Sequence, residues 1–348
     1  MKRIRLSVVD FGRDHELASR LLDWVKDRYD IEIVERDADY VLHACMGWDV
    51  LNHPGVRIFM TGEDVRPDFN VCDYAFGFDR MTFGDRYCRL PYFRLRKAVY
   101  ERMLQPRPPL EQVLRRKTGF CASVISNLKG DPARFRIVEL LNGYKRVDNG
   151  GRMLNNIGGP VANKYEFQSH YKFAVAFESA STPGYATEKI ADAFVSNAIP
   201  IYWGDPEISK DFNPDAFVNC HDFDSLEAVV TRVKQIDNDD ELYRKMIAAP
   251  CFRDGREPDS LRDETFRAFL ANIFDQPHEQ AFRRSRGSWS RKHERRLREA
   301  FFQPHRHALR SLRGLVRKLR QPPVGTFAWQ PYPENLVRDV NYDASDKK

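Results

Sequence analysis

The sequence predicts an α/β protein made of two Rossmann-like units in series, and three observations predict it. Short apolar runs of strand length alternate with stretches whose apolar residues recur every three or four positions, first over residues 1–112 and again over 113–260. The proline-rich Gln105-Pro106-Arg107-Pro108-Pro109, within a basic stretch between Tyr92 and Arg116, reads as the connection between them. From Phe173 to Phe223 the order strand, helix, strand, loop, strand is complete, and such alternation makes a parallel sheet with crossover helices.

In the first unit, Ile4 to Val9 is a strand, Phe11-Gly12 a turn, and Glu16 to Val25 a helix with Leu17, Leu21, Leu22 and Val25 on one face. Ile31 to Val34, Tyr40 to Cys45 and Val56 to Met60 are further short strands. No G-x-G-x-x-G occurs, so nothing here argues for a dinucleotide cofactor. The strand ending at Met60 runs into Thr61-Gly62-Glu63-Asp64. A carboxylate after a glycine at a strand's carboxyl end is placed to face a cleft, which makes Glu63 a candidate general base. The alternatives are a loop carboxylate capping backbone N–H groups, or Asp64 in the same role.

The second unit opens with a strand from Gly119 to Ile125 and a helix from Pro132 to Leu141, with Arg134 in its first turn. A cation there opposes the helix dipole but suits an anionic ligand. The Gly- and Asn-rich stretch Asn149 to Pro160 reads as a loop able to close over a ligand. Phe173 to Phe177 is a buried strand closed by Glu178 and Ser179, and Thr187-Glu188-Lys189-Ile190 opens a helix carrying Ala193, Phe194 and Ala198. A helix start with Lys189 beside it suits a phosphate or diphosphate, and Glu188 suits sugar hydroxyls; the plainer reading makes both first-turn charges on a solvated face. Ile199 to Gly204 and Ala216 to Asn219 complete the strands, and helices follow at about 225–236, 240–247 and 262–274.

Apolar residues at 42% and charged residues at 30% exclude disordered and collagen-like chains, and no apolar run approaches the roughly 18 residues of a membrane span. The six cysteines are scattered and read as small buried hydrophobes in a reducing compartment. The net charge of +6 is uneven. Arg283 to Arg320 holds 14 Lys and Arg against two Glu, leaving 42 basic and 48 acidic residues elsewhere. Within the segment 261–348, Ala308, Leu309, Leu312, Leu315, Val316 and Leu319 at helical spacing, with Arg310, Arg313, Arg317, Lys318 and Arg320 opposite, predict a surface helix for an anionic membrane, the plainer alternative being a charged helix packed on its own protein, rather than a nucleic-acid site. The expected location is the cytoplasm, peripheral at the inner face of the membrane.

Four blocks in order, Phe177-Glu178, Gly184-Tyr185-Ala186-Thr187-Glu188-Lys189-Ile190, Ile199 to Gly204 and Asp211-Phe212-Asn213-Pro214 with Phe217-Val218-Asn219, resemble the donor-binding signature of α-1,3-fucosyltransferases, glycosyltransferase family ten. Thr61-Gly62-Glu63, with Pro67 to Asn70, Asp73-Tyr74-Ala75, Gly77-Phe78-Asp79 and Asp85-Arg86-Tyr87, is similar to the acceptor segment of the bacterial members. The resemblance fades after about residue 260. It implies a GT-B architecture, two Rossmann-like domains about a central cleft, with residues 1–112 binding the acceptor and 113–260 the donor GDP-fucose. It implies an inverting transfer to a hydroxyl of an oligosaccharide or glycoconjugate, with Glu63 as base. Donor contacts would come from Arg134 (Arg136 as the fallback), Ser179, Tyr185, Glu188 and Lys189. Many members have Phe-Glu-Asn where this chain has Phe177-Glu178-Ser179, so one donor contact would be remade by a shorter side chain. The D-x-D at Asp37-Ala38-Asp39 lies between short strands and reads as a surface turn. No obligatory metal is therefore expected, with manganese or magnesium at most stimulatory.

Overall fold

The computed structural model describes residues 1–12 and 15–302. Among them, eleven strands form two sheets, parallel throughout. The first contains β1 (Lys2–Val9), β2 (Tyr29–Ile33), β3 (Tyr40–His43), β4 (Val56–Phe59), β5 (Tyr74–Gly77) and β6 (Tyr87–Arg89), in the order β2-β1-β3-β4-β5-β6. The second contains β7 (Gly119–Ser123), β8 (Val147–Asn149), β9 (Tyr171–Phe177), β10 (Ile199–Trp203) and β11 (Val218–Asn219), in the order β11-β10-β9-β7-β8. Strand order reverses between β1 and β3 in one sheet and between β7 and β9 in the other. Crevices at such reversals, beyond the carboxyl ends of the strands, are where open parallel sheets bind ligands.

The helices are α1 (His15–Leu22), α2 (Tyr92–Leu95), α3 (Lys97–Leu104), α4 (Leu110–Arg115), α5 (Ala133–Asn142), α6 (Lys164–Ser169), α7 (Glu188–Val195), α8 (Leu226–Asn238), α9 (Asp240–Ala248), α10 (Asp263–Asp275) and α11 (Ser288–Phe302). Each sheet has its own apolar core, one built on Ile4, Leu6, Leu42, Ile58 and Phe76, the other on Ile137, Phe173, Val175, Ile201 and Val233. A third cluster packs Phe93, Val99 and Tyr100 of α2 and α3 against Ile190 and Phe194 of α7, joining the two halves.

The structure departs from the sequence reading at β5, β6, β8, α2 to α4 and α10, and it shows what holds the loop after β8. β5 and β6 were not foreseen as strands: every residue of Tyr74-Ala75-Phe76-Gly77 is buried, and a short strand covered on both faces shows no alternation to read. Residues 92–116 are not a bare connection but carry α2, α3 and α4. The loop after β8 is tied to itself by asparagines: Asn155 Nδ2 donates to the Gly151 carbonyl at 2.8 Å and its Oδ1 accepts the Gly159 N–H at 2.8 Å. Finally α10 returns to the first half, where Phe266, Leu270, Ile273 and Phe274 enter the first core beside Tyr29 and Tyr40.

A compact body spans Met1–Glu294. The amphipathic stretch Ala308 to Arg320 lies outside the described residues. No described helix is long and apolar enough to cross a membrane, and none of the six cysteines is in a disulfide.

Candidate active site

The second half's part of the site begins where β9 ends. Backbone pairing with β10 extends one residue past the strand, Glu178 N–H donating to the Trp203 carbonyl at 2.8 Å, so Glu178 is held at the sheet's edge and is fully buried. A buried carboxylate needs donors. Its Oε1 accepts the Thr187 N–H at 2.7 Å, and its Oε2 accepts the Thr187 hydroxyl at 2.6 Å and the Lys189 ammonium at 2.8 Å. Gly204 makes room, since a Cβ there would stand 2.4 Å from Glu178 Cγ. The sequence reading saw in Glu178 the residue that closes a strand and part of a donor-signature block, with no role of its own. The structure makes it the group that fastens the start of α7 to the sheet.

This changes the account of Lys189. Its ammonium is not a spare charge beside an open helix end: it donates to Glu178 and, at 2.7 Å, to Thr187 Oγ1, and lies 3.6 Å from Glu188. Burial works against its charge, but Glu178 and Glu188 outweigh it and hold its pKa well above the ordinary lysine range. Burial likewise pushes the Glu188 carboxyl up, yet Lys189 and Lys164 overcome it and keep it below the usual glutamate value. Both groups are thus charged at neutral pH.

Tyr185 is where the predicted residues meet. The phenol is buried, within hydrogen-bonding reach of the Ser179 side chain and within electrostatic reach of Glu178, Lys189 and Glu63. Burial first, then the charges of Glu178 and Glu63, raise its pKa, so it is a neutral donor. Its ring meets Phe78 of the first half edge-on at 5.3 Å. Gly184 beside it has φ +85°, and a Cβ there would lie 2.4 Å from the Phe78 carbonyl oxygen, so the two halves touch backbone to side-chain-free backbone.

Arg134 lies in the first turn of α5, as expected, but its guanidinium is engaged by backbone carbonyls. It sits near the start of α5, buried, with its guanidinium donating to the carbonyls of Asn127 at 3.2 Å, Asp131 at 3.3 Å and Lys129. Burial lowers its pKa, Asp131 partly offsetting this. It braces the loop after β7, and that loop is tied to the site by the Asp131 N–H donating to the Ser179 carbonyl at 2.8 Å. Arg136 faces outward, paired with Glu139 and Glu227. Two cations the sequence reading passed over, Lys129 after β7 and Arg152 after β8, are exposed, and their side chains make no hydrogen bond or ion pair among the described residues. A basic residue in each strand-end loop of one sheet was the available signal.

In the first half, Glu63 follows β4 in a tight turn in which the Val65 N–H donates to the Glu63 carbonyl at 2.8 Å. The Glu63 side chain is exposed and has no hydrogen-bond or ion-pair partner among the described residues. Asp64, the rival carboxylate, accepts the Thr182 hydroxyl of the second half at 2.6 Å. Arg80 and Arg89 of the first half meet Asp205 and Asp211 of the second, Arg89 holding both Asp211 oxygens at 2.8 and 2.6 Å and Arg80 lying 2.8 Å from Asp205 and 2.7 Å from Asp211. Among the described residues no group of three or more His, Cys, Asp or Glu is placed to hold a metal ion, and Asp37, at φ +55°, stands in the turn between β2 and β3.

Residues 6–96 match the family profile described as the Alpha-(1,3)-fucosyltransferase FucT N-terminal domain, and residues 114–248 that of Glycosyltransferase family 10 (fucosyltransferase) C-term. The Helicobacter pylori protein described as Alpha-(1,3)-fucosyltransferase FucT is 37% identical over 221 residues, which are 55% of this chain and 46% of that protein. This chain thus spans less than half the length of that curated relative. A crystal structure of an alpha1,3-fucosyltransferase superposes with a TM-score of 0.71 at 31% identity, covering 79% of this chain and 91% of the other. A structure described as alpha1,3-fucosyltransferase with GDP-fucose gives a TM-score of 0.68 at 30% identity, covering 79% and 92%.

Proposed function

Because this chain belongs to glycosyltransferase family 10, the fucosyltransferases, and has its two-sheet fold, we propose that it moves L-fucose from GDP-fucose to a hydroxyl of an oligosaccharide or glycoconjugate. The acceptor position we favour is the 3-hydroxyl of a GlcNAc or glucose unit, in a glycan such as an O-antigen or a Lewis-type chain. The observation that carries the reading is an exposed Glu63, its side chain without a partner among the described residues, on a turn joined through Asp64 to Thr182 at 2.6 Å, in the loop of the other half that leads to Tyr185 and the Glu178–Thr187–Lys189 cluster.

The reaction is a single displacement. Glu63 takes the proton of the acceptor hydroxyl as that oxygen attacks the fucose anomeric carbon from the face opposite GDP, which inverts its configuration. One carboxylate suffices, since no covalent glycosyl-enzyme forms. Charge on the departing diphosphate is met by the field of Lys189, whose ammonium keeps its bonds to Glu178 and Thr187, and by N–H groups of the first turn of α7, where Thr187 makes no side-chain cap. Arg134 keeps the loop after β7 in place beneath the donor, Ser179 and Tyr185 offer hydroxyls, and Glu188 accepts from sugar hydroxyls. The charges proposed to meet the diphosphate are all the protein's own, so turnover needs no metal, although manganese or magnesium stimulates by screening the diphosphate. The basic stretch 308–320 brings the enzyme to an anionic membrane surface at the cytoplasmic face.

The test is a donor and acceptor screen read by mass spectrometry, with GDP-fucose set against GDP-mannose and UDP-sugars and the linkage read by NMR. Transfer from GDP-fucose alone, retained in EDTA, is expected. Glu63→Gln should lower kcat at least about a hundredfold with GDP affinity unchanged, the worth of a general base. Use of another donor, or full turnover by Glu63→Gln, refutes the reading.

A further inference from the structure

We propose that Asp64 and Thr182 form a positioning latch, in which their hydrogen bond fixes the turn that bears Glu63 against the donor loop of the other half and transfer slows when the bond is removed. The inference rests on the reading of Glu63 as base. Thr182 Oγ1 donates to Asp64 Oδ2 at 2.6 Å in a half-buried setting, where a charge-assisted bond is stronger than one in water.

Each partner is anchored on its own side. In the second half, the Ser181 hydroxyl donates to the Gly204 carbonyl at 2.8 Å, the Tyr185 N–H to the Thr182 carbonyl at 3.0 Å, and the Gly184 N–H to Asp205 Oδ1 at 2.7 Å. Thr182 is therefore a fixed point beside the donor cluster. In the first half, the Thr61 hydroxyl lies 3.1 Å from Cys45 Sγ, and its oxygen accepts the Glu63 N–H at 3.2 Å. Within the turn 61–66, Asp64 is the described residue hydrogen-bonded to the other half; Arg66 pairs with Asp79 of its own half instead.

Consecutive Cα atoms are about 3.8 Å apart, so holding residue 64 leaves residue 63 little freedom relative to Thr182. The adjoining carboxylates thus divide the work: Asp64 is committed to the second half, and Glu63 is left without a partner. Further contacts between the halves, made by Arg80, Arg89, Phe78 and the α2–α3 cluster against α7, lie beyond β5, and the turn meets them through Arg66, which pairs with Asp79 and lies over the Phe78 ring at 5.6 Å, at the end of the turn away from Glu63. Asp64 and Thr182 are positioning residues that act through Glu63.

Thr182→Val removes the hydroxyl with almost no change of shape. It should lower kcat about tenfold, since an ångström of misplacement in an active site costs up to about a hundredfold, while GDP affinity by calorimetry stays at the wild-type value. Thr182→Ser should restore turnover. Asp64→Ala breaks the same bond from the other side and should reproduce the loss, which guards against a folding defect peculiar to either variant. In a Glu63→Gln background, Thr182→Val should cost nothing more, a coupling that a merely structural role does not produce. Wild-type kcat in Thr182→Val, the same drop in the Glu63→Gln background, or no recovery in Thr182→Ser overturns the latch. A slow Glu63→Gln beside a normal Thr182→Val sinks the latch alone, whereas a fully active Glu63→Gln sinks the base assignment and the latch together.

Discussion

Glu63 and Glu178 are the same residue type at equivalent places, each just past the end of a central parallel strand, and the protein treats them in opposite ways. Glu178 is fully buried and accepts two donors from Thr187 and one from Lys189. Glu63 is exposed, and its carboxylate has no partner among the described residues. A carboxylate with its acceptor sites filled cannot take a proton from an incoming hydroxyl without giving up bonds, whereas an unfilled one can. The difference therefore separates structure from chemistry: Glu178 shapes the donor side and Glu63 is left available on the acceptor side.

The largest effect expected from this contrast is in stability. Glu178→Ala leaves the half-buried Lys189 without its main partner and the Thr187 N–H without an acceptor, and should cost about 3 to 5 kcal/mol, while Glu63→Ala should stay within about 0.5 kcal/mol of wild type, both read by urea denaturation. Equal losses would erase the distinction. Next comes Gly184→Ala, which sets a Cβ against the Phe78 carbonyl at a positive φ and should cost about 2 to 3 kcal/mol in the same assay, because the halves must part to admit it.

A buried titratable group of the first half sharpens the contrast, because it is kept neutral where Glu178 is ion-paired. Burial, with the charges of Arg57 and Arg284, takes the pKa of His43 down to about 3, against the Ala44 carbonyl. The unfolded chain binds this proton below about pH 6.5 and the folded one does not, so stability falls as pH falls through that window and levels off near pH 3. Relative to His43→Leu, wild type should lose about 2 kcal/mol between pH 6.5 and 5, at about 1.4 kcal/mol per unit. A difference that does not change with pH would mean that the imidazole titrates normally. The smallest effect concerns the two arginines of α5. Arg134→Met, by releasing the loop after β7, should weaken GDP binding about tenfold, the worth of one charge-assisted hydrogen bond. Arg136→Met should leave it unchanged, as calorimetry can check.

Much of this was legible before any coordinates. The order of strands and helices came from the alternation of apolar runs and helical periods, and the four ordered blocks from Phe177 to Asn219 pointed to the donor side. Glu63, Glu188 and Lys189 were singled out from the residues and Ser179 and Tyr185 through the family resemblance, and the fold places them in one neighbourhood about Tyr185. β5 escaped because burial on both faces leaves no period, β6 and β8 because three residues are too few to show one, and the return of α10 to the first core depends on residues more than 200 positions apart.

Sequence by itself determined most of the longer parallel strands, and that glutamates stand at two of their ends, because local periodicity and glycine placement are properties of neighbours along the chain. Only the tertiary structure decided that Glu178 would be saturated with donors, that Arg134 would turn inward to brace a loop, and that Asp64 would be bound to Thr182 while Glu63 stayed open. Burial and hydrogen-bond partners are set by atoms brought together across two sheets, and no reading along one strand contains them.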